Sequence, residues 1–589
     1  MAVRISNPAV ACLAALALAA VSCPAIVSAQ DCSPADITLT SQADVDDFQA
    51  NHGPCDRVSG ELKIEGADIL ALSGLAAVSE VRYLRIWNNP QLQSLAGLDA
   101  LSYASTLHLH NNRLLTDLQG LTALDELGTL QVSGNGALLD LQGLENLERV
   151  GFLIVSGNAS LRSLTGLSGL QRVGANEFRI SGNPSLLSLD GLESLHTVVG
   201  NLIIEDNDAL QNIDGLSSLT TVTIEGGFNI EIQRNSALAD LGGLAGLSEI
   251  PGSLIIHLND SLSDIGGLSN LGEVGVMLHL AANPALPDLD GLGSLTSVGS
   301  LGIVNNTSLA DISGLSSLET VRSWFEISWN PLLTTLGGLS ALTQVGVAAP
   351  SMGALIIQHN AGLQSLAGLH ALEAAQNLAL EYNPALADCG AVVRLVDPLD
   401  DFEPGPGPGI SGIPDVGEQA RVRFNGDGCN SVNDILAQVP LLGLNAGISD
   451  AWFNPETGGQ GFFVTVFPQI EQVFMAWFTY DTERPPPDVT AQIGEPGHRW
   501  ITAQGTFDGN TALLTVYVAE GGVFDSAQPA PELREDGEIL LEFTTCNAGT
   551  VSYDIPSIGR QGLVPIERIT LDNVALCYAL EQAGAAPAR

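Results

Sequence analysis

The chain has 589 residues, of which 66 are acidic and 21 are basic, so its formal net charge at pH 7 is −45. Such a chain is not expected to bind nucleic acid or an anionic membrane surface non-specifically, because these carry the same sign of charge. The acidity favours a solvated, self-repelling surface in an extracellular setting. A Ca²⁺-dependent protein is the alternative, although the sequence contains no Asp-x-Asp-x-Asp-Gly loop.

Residues 1–29 have the pattern of a secretory signal peptide. Arg4 supplies the positive end, Ala9 to Val21 form a short apolar run, and Val27-Ser-Ala29 is a small-residue cleavage site. Lipoprotein processing at Cys23 is the competing interpretation. No later run of 18 apolar residues occurs, so no transmembrane segment is predicted in the mature chain. We expect a secreted, cell-surface or periplasmic protein.

A repeat dominates the sequence from Leu62 to Cys389. Clear copies read LRIWNNPQL from Leu84, LHLHNNRLL from Leu107 and LALEYNPAL from Leu378. The shared phrase is apolar, any, apolar, any, any, Asn, any, any, Leu, followed by a Gly-Leu pair. The intervals are 23 or 24 residues, with 25, 28 and 30 once each. The repeated asparagines are Asn89, Asn112, Asn135, Asn158, Asn183, Asn207, Asn235, Asn259, Asn283, Asn306, Asn330, Asn360 and Asn383.

A period of this size predicts a solenoid, in which each coil is too small to bury its own apolar face. Leu84 and Ile86 should point inward from a short strand, and Arg85 should point outward. The Asn should turn the chain and satisfy buried backbone groups. An earlier copy carries Ala67 in the Asn position, which brings the predicted number of coils to fourteen.

Six cysteines remain once the signal peptide is removed, and their positions predict local disulfides. Each nearest pair sits at a module boundary or within one module, and no Cys-x-x-Cys suggests zinc. Disulfides imply an oxidising compartment. The predicted pairs are Cys32–Cys55, Cys389–Cys429 and Cys546–Cys577.

From about Ile448 the repeat gives way to strand-like segments rich in Val, Phe and Thr. Turn signals such as Asp508-Gly-Asn510 separate them, which predicts an antiparallel sandwich or barrel. The phrases that begin at Trp452 and Trp477 predict core aromatic residues, with a sugar-stacking platform as the alternative. The predicted strands are Phe462 to Phe467, Gln472 to Thr479, Ile501 to Thr506, Ala512 to Val518, Glu538 to Thr544 and Ile566 to Leu571.

The repeat phrase resembles the receptor L domain, the leucine-rich-repeat-like ligand-binding module of insulin- and EGF-type receptors. It is closer still to long secreted bacterial and fungal versions, and the match covers about residues 60–390. The tail domain resembles a module at the ends of secreted bacterial proteins, for which no activity is assigned. The resemblance implies extracellular binding, but not transmembrane signalling, because the chain has no furin-like segment, transmembrane helix or kinase.

The predicted fold class is mainly β. It comprises a right-handed, leucine-rich-repeat-like solenoid of about fourteen coils with disulfide caps, followed by the β-sandwich or barrel. The predicted segments are a signal peptide (1–29), an N-terminal cap (30–59), the solenoid (60–390), a C-terminal cap and linker (391–445), the β-sandwich or barrel domain (446–580) and a disordered tail (581–589).

The outward strand residues should form columns on one sheet face, where repeat solenoids commonly bind. In the first coils this places basic and aromatic residues close together, although exposed strand positions also tolerate such residues without a function. Two histidines there could hold a metal, but no third ligand is in view. The predicted ligand-binding residues are Lys63, Tyr83, Arg85, Trp87, His108 and His110. A second, thinner cluster consists of His257, Met277, His279, Trp324 and Glu326.

The predicted function is that of an exported, non-catalytic binding or adhesion protein whose partner is an extracellular glycan or protein. No cofactor is predicted, and the oligomeric state stays open. A polysaccharide-active enzyme on the solenoid is one alternative, and a passive envelope or matrix protein is another. The acidic residues of the turns follow the repeat instead of breaking it, which favours a structural role. These residues include Asp117, Asp140, Asp240 and Asp311.

Overall fold

The computed structural model describes residues 30–585 except for 224–228, 347–353, 376, 397–419, 440, 442, 458–459, 481–497 and 521–531. These residues form a leucine-rich-repeat-like parallel solenoid followed by a closed antiparallel barrel. The predicted mainly β architecture is confirmed, and the barrel replaces the sandwich alternative. The predicted signal peptide and the Pro-Gly-rich stretch at 403–409 lie outside the described residues.

One parallel sheet runs along the solenoid, and successive coils contribute its strands. The pairing is in register with the sequence repeat, so that Arg85 lies between Lys63 and His108 of the neighbouring coils. The described strands of this sheet are β1 (Ile37–Leu39), β2 (Arg57–Ile64), β3 (Glu80–Trp87), β4 (Tyr103–His110), β5 (Glu126–Ser133), β6 (Arg149–Ser156), β7 (Arg172–Ser181), β8 (Thr197–Glu205), β9 (Thr221–Thr223), β10 (Asn229–Gln233), β11 (Glu249–Ile250), β12 (Ser253–His257), β13 (Glu273–Ala281), β14 (Ser297–Val304), β15 (Thr320–Val321), β16 (Trp324–Ser328), β17 (Gln344–Val345), β18 (Ala354–Gln358), β19 (Ala374–Ala375), β20 (Leu378–Glu381) and β21 (Ala420–Arg423).

The alternation along each strand gives the solenoid its core. Leu84 and Ile86 are fully buried, as are Leu107 and Leu109 one coil further on. Side chains at every second position of a strand point to the same side, so these residues stack from coil to coil into a continuous apolar column. The leucines after the Asn and in the Gly-Leu pair close the core on the other sides.

The repeated asparagines form a buried hydrogen-bonded ladder. The backbone N–H of Asn89 donates to Oδ1 of Asn112 at 3.1 Å. Nδ2 of Asn112 donates to the carbonyl oxygen of Ile86 at 2.8 Å. Each Asn thus satisfies backbone groups of the preceding coil at a corner that water does not reach. The ladder starts at the N–H of Gly66, which donates to Oδ1 of Asn89 at 2.8 Å.

The second corner depends on glycine. Gly120 has a φ of +108°, and a Cβ added to it would lie 2.3 Å from the carbonyl oxygen of Leu95 in the preceding coil. No L side chain tolerates both constraints. The Gly of the Gly-Leu pair is therefore the residue that lets adjacent coils approach each other.

Short elements and a disulfide close the N-terminal end. Strand β1 pairs with β2, and helices α1 (Gln42–Asp46) and α2 (Phe48–His52) bury Val45 and Phe48. The Cys32–Cys55 disulfide joins the two sides of this cap. Strand β2 begins at Arg57, three residues before the predicted start of the solenoid.

The C-terminal cap contains one more rung than the sequence predicted. Oδ1 of Asn425 accepts the N–H of Asn383 at 3.1 Å, and strand β21 pairs with β20. The sheet and the ladder therefore extend past the predicted boundary at residue 390. The N–H of Asn425 donates to Oδ1 of Asn430 at 2.8 Å, which ends the ladder. The segment also contains α3 (Val393–Val396), α4 (Val432–Leu436) and the Cys389–Cys429 disulfide.

The C-terminal domain closes because its first strand pairs with its last, with Trp452 opposite Arg568. Five of the predicted strands lie within strands of the barrel or extend one residue past them. The sixth, predicted at 566–571, overlaps only the last three residues of the final strand, and the first and seventh strands were missed. Trp452 is fully buried and Trp477 is 5% exposed, so the core interpretation is confirmed and a sugar platform on these rings is excluded. The strands are β22 (Asp450–Phe453), β23 (Gly461–Phe467), β24 (Gln472–Tyr480), β25 (His498–Asp508), β26 (Thr511–Glu520), β27 (Glu532–Phe543), β28 (Ala548–Ile555) and β29 (Arg560–Arg568).

Helix α5 (Val574–Ala585) follows the barrel and carries Cys577, which is bonded to Cys546. The helix continues through residue 585, so the predicted disordered tail from residue 581 is wrong for its first five residues. None of the helices in the described part of the chain is long and apolar enough to cross a bilayer.

We predict that replacing Asn207 by Ala destabilises the protein far more than the same change at Asn510. Asn207 accepts the N–H of Asn183 and donates to the carbonyl oxygen of Ile180. Removing the Asn207 amide leaves the N–H of Asn183 and the carbonyl oxygen of Ile180 without this partner. An unsatisfied buried group lowers the free energy of unfolding by about 1–3 kcal/mol. Asn510, in a barrel turn, donates to the carbonyl oxygen of Phe543. Urea unfolding of the two variants provides the comparison, and equal losses would contradict a structural role for the ladder.

We also predict that the mature protein contains the three local disulfides and no free thiol. Each bond closes a loop within one module, and closing such loops contributes on the order of 3 kcal/mol each. Peptide mapping under non-reducing conditions should recover these pairs alone. A pair between modules, such as Cys429 with Cys546, would show that the prediction is wrong.

Candidate functional site

Five of the six predicted binding residues form one group on the outward face of the first three coils, in which four side chains surround one tryptophan. Register places Lys63, Arg85 and His108 in one column, with Trp87 and His110 beside each other in the next. We name this group the Trp87 hub. It consists of Lys63, Arg85, Trp87, His108 and His110.

The contacts in the hub all involve the indole ring. Nζ of Lys63 lies 5.8 Å from the ring centroid, and the guanidinium carbon of Arg85 lies 5.4 Å from it. The His108 ring is stacked on the indole at a centroid distance of 6.4 Å, and the His110 ring meets it edge-on at 5.9 Å. Both cations are within the range of cation–π attraction. The hub is thus a fixed set of side chains drawn from three coils.

Tyr83 does not join the hub. It lies in the neighbouring column, beside Thr106 of the next coil. Its ring instead contacts Arg82, whose guanidinium carbon is 5.1 Å from the ring centroid. Tyr83 is 37% exposed, so it borders the hub as a separate aromatic group.

Two glutamates that the sequence analysis did not include neutralise the basic groups of the hub. Oε1 of Glu61 lies 2.7 Å from Nη1 of Arg85, and Oε2 of Glu65 lies 2.5 Å from Nζ of Lys63. Both glutamates belong to the first coil and are outward neighbours of the hub columns. The ordinary strand alternation could have identified them. The hub therefore does not present the net positive charge that its basic residues alone suggested.

Three nitrogen atoms of the hub have no hydrogen-bond partner among the residues that the structure describes. They are Nε of Arg85, Nε1 of Trp87 and Nδ1 of His108, and all three are shielded from solvent. Burial, with the nearby charge of Arg85, lowers the pKa of His108 below its ordinary value, and Glu61 opposes this effect. A neutral His108 ring is consistent with its position between a tryptophan and a guanidinium.

The second predicted cluster lies on the same face, six coils further along the solenoid from His110. The His257 and His279 rings are 6.3 Å apart. Trp324 and His279 both lie over Gly302, where an added Cβ would be 2.5 Å from Cδ2 of His279 and 3.1 Å from the indole. Gly302 therefore allows the two rings to converge across one intervening coil.

A third feature was missed by the sequence analysis because it lies at the corner and not on the strand. The residue before each ladder Asn has a left-handed backbone, and most early coils place Asn or Gly there. Four late coils instead carry large rings with φ between 57° and 59°. We name these rings the corner stack. They are Trp329, His359, Tyr382 and Phe424.

The rings of the corner stack lie face to face along the solenoid axis. The centroid distances are 4.0 Å from Trp329 to His359, 4.6 Å from His359 to Tyr382 and 4.7 Å from Tyr382 to Phe424. A left-handed backbone costs a large L residue about 1–2 kcal/mol. Each ring pair returns about 0.5–1.5 kcal/mol. The return from three pairs reaches the lower end of the cost of four such residues, so stacking offsets much of that cost.

The acidic residues of the turns have structural partners. Oδ1 of Asp117 accepts the N–H of Gln119 at 3.1 Å, and Oδ1 of Asp240 accepts the N–H of Gly242 at 2.9 Å. Asp140 and Asp311 make the same bond to the residue two positions on. This is an Asx-turn, which a short carboxylate side chain forms well. Within the described ranges, no three His, Cys, Asp or Glu side chains are grouped so as to hold a metal ion.

No protein-family model matches the chain, and no curated protein matches it. Among solved structures, a leucine-rich repeat protein from Bacteroides ovatus is similar. It is 14% identical, the comparison covers 51% of this chain and 82% of that chain, and the TM-score is 0.18. These values support no inference about function. The solenoid described above rests on the strands and ladder of this chain.

We predict that the half-buried histidines of the second cluster make stability depend on pH. Burial lowers the pKa of His257 and His279 below the ordinary value of 6.5, and the charges of Arg234 and of His257, respectively, add to the effect. These two histidines therefore bind protons more readily in the unfolded chain than in the folded protein. The stability contributed by the neutral rings is present above pH 6.5 and is lost as the pH falls.

The melting temperature should therefore fall between about pH 7.5 and about pH 5.5. The double variant His257→Gln, His279→Gln should show a smaller fall. His370→Gln, a change at an exposed position, serves as the control and should keep the slope of the wild type. If the melting temperature of the double variant depends on pH as steeply as that of the wild type, the prediction is wrong.

Proposed function

We propose that this is an exported, non-catalytic binding protein and that the Trp87 hub, with Tyr83 at its border, is its main recognition surface. The observation that carries the proposal is the convergence of two cationic and two imidazole side chains from three coils on one indole ring. Tyr, Trp and Arg are the residue types that most often dominate binding energy. A rigid solenoid face adds little ordering cost when a partner binds.

The ligand class follows from the charges and the unpartnered nitrogens. Because Glu61 and Glu65 pair with the two cations, attraction of an acidic ligand is weak. Buried donors without partners cost free energy in the free protein. A ligand rich in oxygen acceptors relieves that cost when its binding rotates the Arg85 or Trp87 side chain and turns the shielded nitrogen towards the ligand. An uncharged glycan or a peptide backbone has this chemistry, and both are extracellular partners of the kind expected.

Export is supported by the three disulfides, which persist in oxidising compartments. A non-catalytic role is supported by the Asx-turn bonds of the repeated aspartates, because a carboxylate engaged in a turn is not poised as an acid or base. The solenoid glycosidase alternative would need two carboxylates facing each other across an open sugar site.

We predict that the double variant Arg85→Ala, Trp87→Ala loses binding. A glycan array and a whole-cell binding screen with the mature protein would first identify a ligand. The double variant should then bind the best array glycan at least about tenfold more weakly, which is about 1.4 kcal/mol. Its melting temperature should change little, because both side chains lie on the outward face.

The matched control is Arg179→Ala, Trp324→Ala. Arg179 occupies the column of Arg85 four coils further on, and it is also paired with glutamates, Glu177 and Glu205. The control should bind as the wild type does. Unaltered affinity in the hub variant would refute the proposal, and a loss confined to the control would move the site to the second cluster.

A further inference from the structure

The corner stack begins at Trp329 and ends at Phe424, whose ring has the guanidinium carbon of Arg423 5.5 Å from its centroid. We propose that the free face of Trp329 binds one pyranose ring of an uncharged glycan, with the amide of Asn305 as a hydrogen-bonding group beside it. This site lies ten coils beyond the Trp87 hub and does not depend on the function proposed above.

The exposure of Trp329 shows which part of the ring is free. One face of the indole is stacked on His359 at 4.0 Å, yet 51% of the residue is exposed. An indole with one covered face keeps about this much surface only if the opposite face is open. That face points towards Asn305, which occupies the same corner position in the preceding coil. The exposed side chain of Asn305 is too small to cover an indole.

The coils before Trp329 leave room for a sugar. Adjacent strands are about 4.8 Å apart, and the two preceding corner positions hold Asn305 and Ala282. The next large side chain in the column is Leu258, three coils from Trp329, and it is 39% exposed. The indole therefore projects beside two coils whose corner side chains are small, which leaves a shallow depression about two coils wide. A pyranose can stack its C–H face on the free face of the indole while its hydroxyls reach the amide of Asn305.

The left-handed corner also occurs in coils without rings, at Arg234, Leu258 and Ala282, and in the late coils it brings the rings into line. Stacking on His359 holds the indole in place, so little rotamer freedom is lost when a sugar binds. The interior rings turn their faces to one another, so they offer only edges to a ligand. The net charge of −45 favours a neutral sugar over a sulfated one.

The test uses the mature protein and isothermal titration with neutral hexasaccharides of β-linked glucose, xylose and N-acetylglucosamine, and with a heparin hexasaccharide. At least one neutral probe should bind, and the heparin probe should not. Trp329→Ala should weaken that binding at least about tenfold, and Trp329→Phe, which keeps a ring face, should recover most of it. Melting temperatures of all variants should stay close to that of the wild type.

Phe424→Ala is the matched control, because it removes the ring at the other end of the stack and also one stacking contact. It should leave the affinity unchanged. The proposal is overturned if no neutral probe binds the wild type, if Phe424→Ala weakens binding as much as Trp329→Ala, or if only the hub variant loses binding. The proposal would also be overturned if Trp329→Ala weakened the binding of a peptide but of no glycan.

Discussion

The solenoid depends on the buried hydrogen bond between each ladder Asn and the side-chain amide of the next. Each coil must turn sharply inside the stack, and the turn leaves backbone N–H and C=O groups away from water. Asn carries a donor and an acceptor on one short side chain, so it satisfies both kinds of group at once. The bond fixes the height of each coil against the next, and with it the register of every outward column.

That register explains why the hub could be predicted from the sequence. Once the period is known, Lys63, Arg85 and His108 must be neighbours. The ion pairs with Glu61 and Glu65 could not be predicted with the same certainty, because they depend on the rotamers of long side chains. The corner stack was missed for a different reason. Its residues precede the Asn, where a strand pattern assigns no direction to the side chain, and only the left-handed backbone brings the rings into line.

The parts of the fold that the sequence did not predict are those without a period. Asn425 follows Asn383 by 42 residues, well outside the regular spacing, so its place in the ladder was hidden. In the barrel, β22 is four residues long and β28 contains Gly549 and Asp554, which weakens any strand signal. Whether two sheets form a sandwich or close into a barrel depends on the pairing of β22 with β29, a contact between the ends of the domain that no local pattern encodes.

The ladder has chemically identical interior rungs and two distinct ends, Gly66 and Asn430. An insertion or deletion of one whole repeat would leave every interior amide with a partner and would not disturb either end. A change of any other length inside the corner would leave a rung unmatched. Evolution can therefore alter the length of this protein freely in steps of one coil. Distances between sites on its surface, such as the hub and the corner stack, can change in the same discrete steps without redesign of either site.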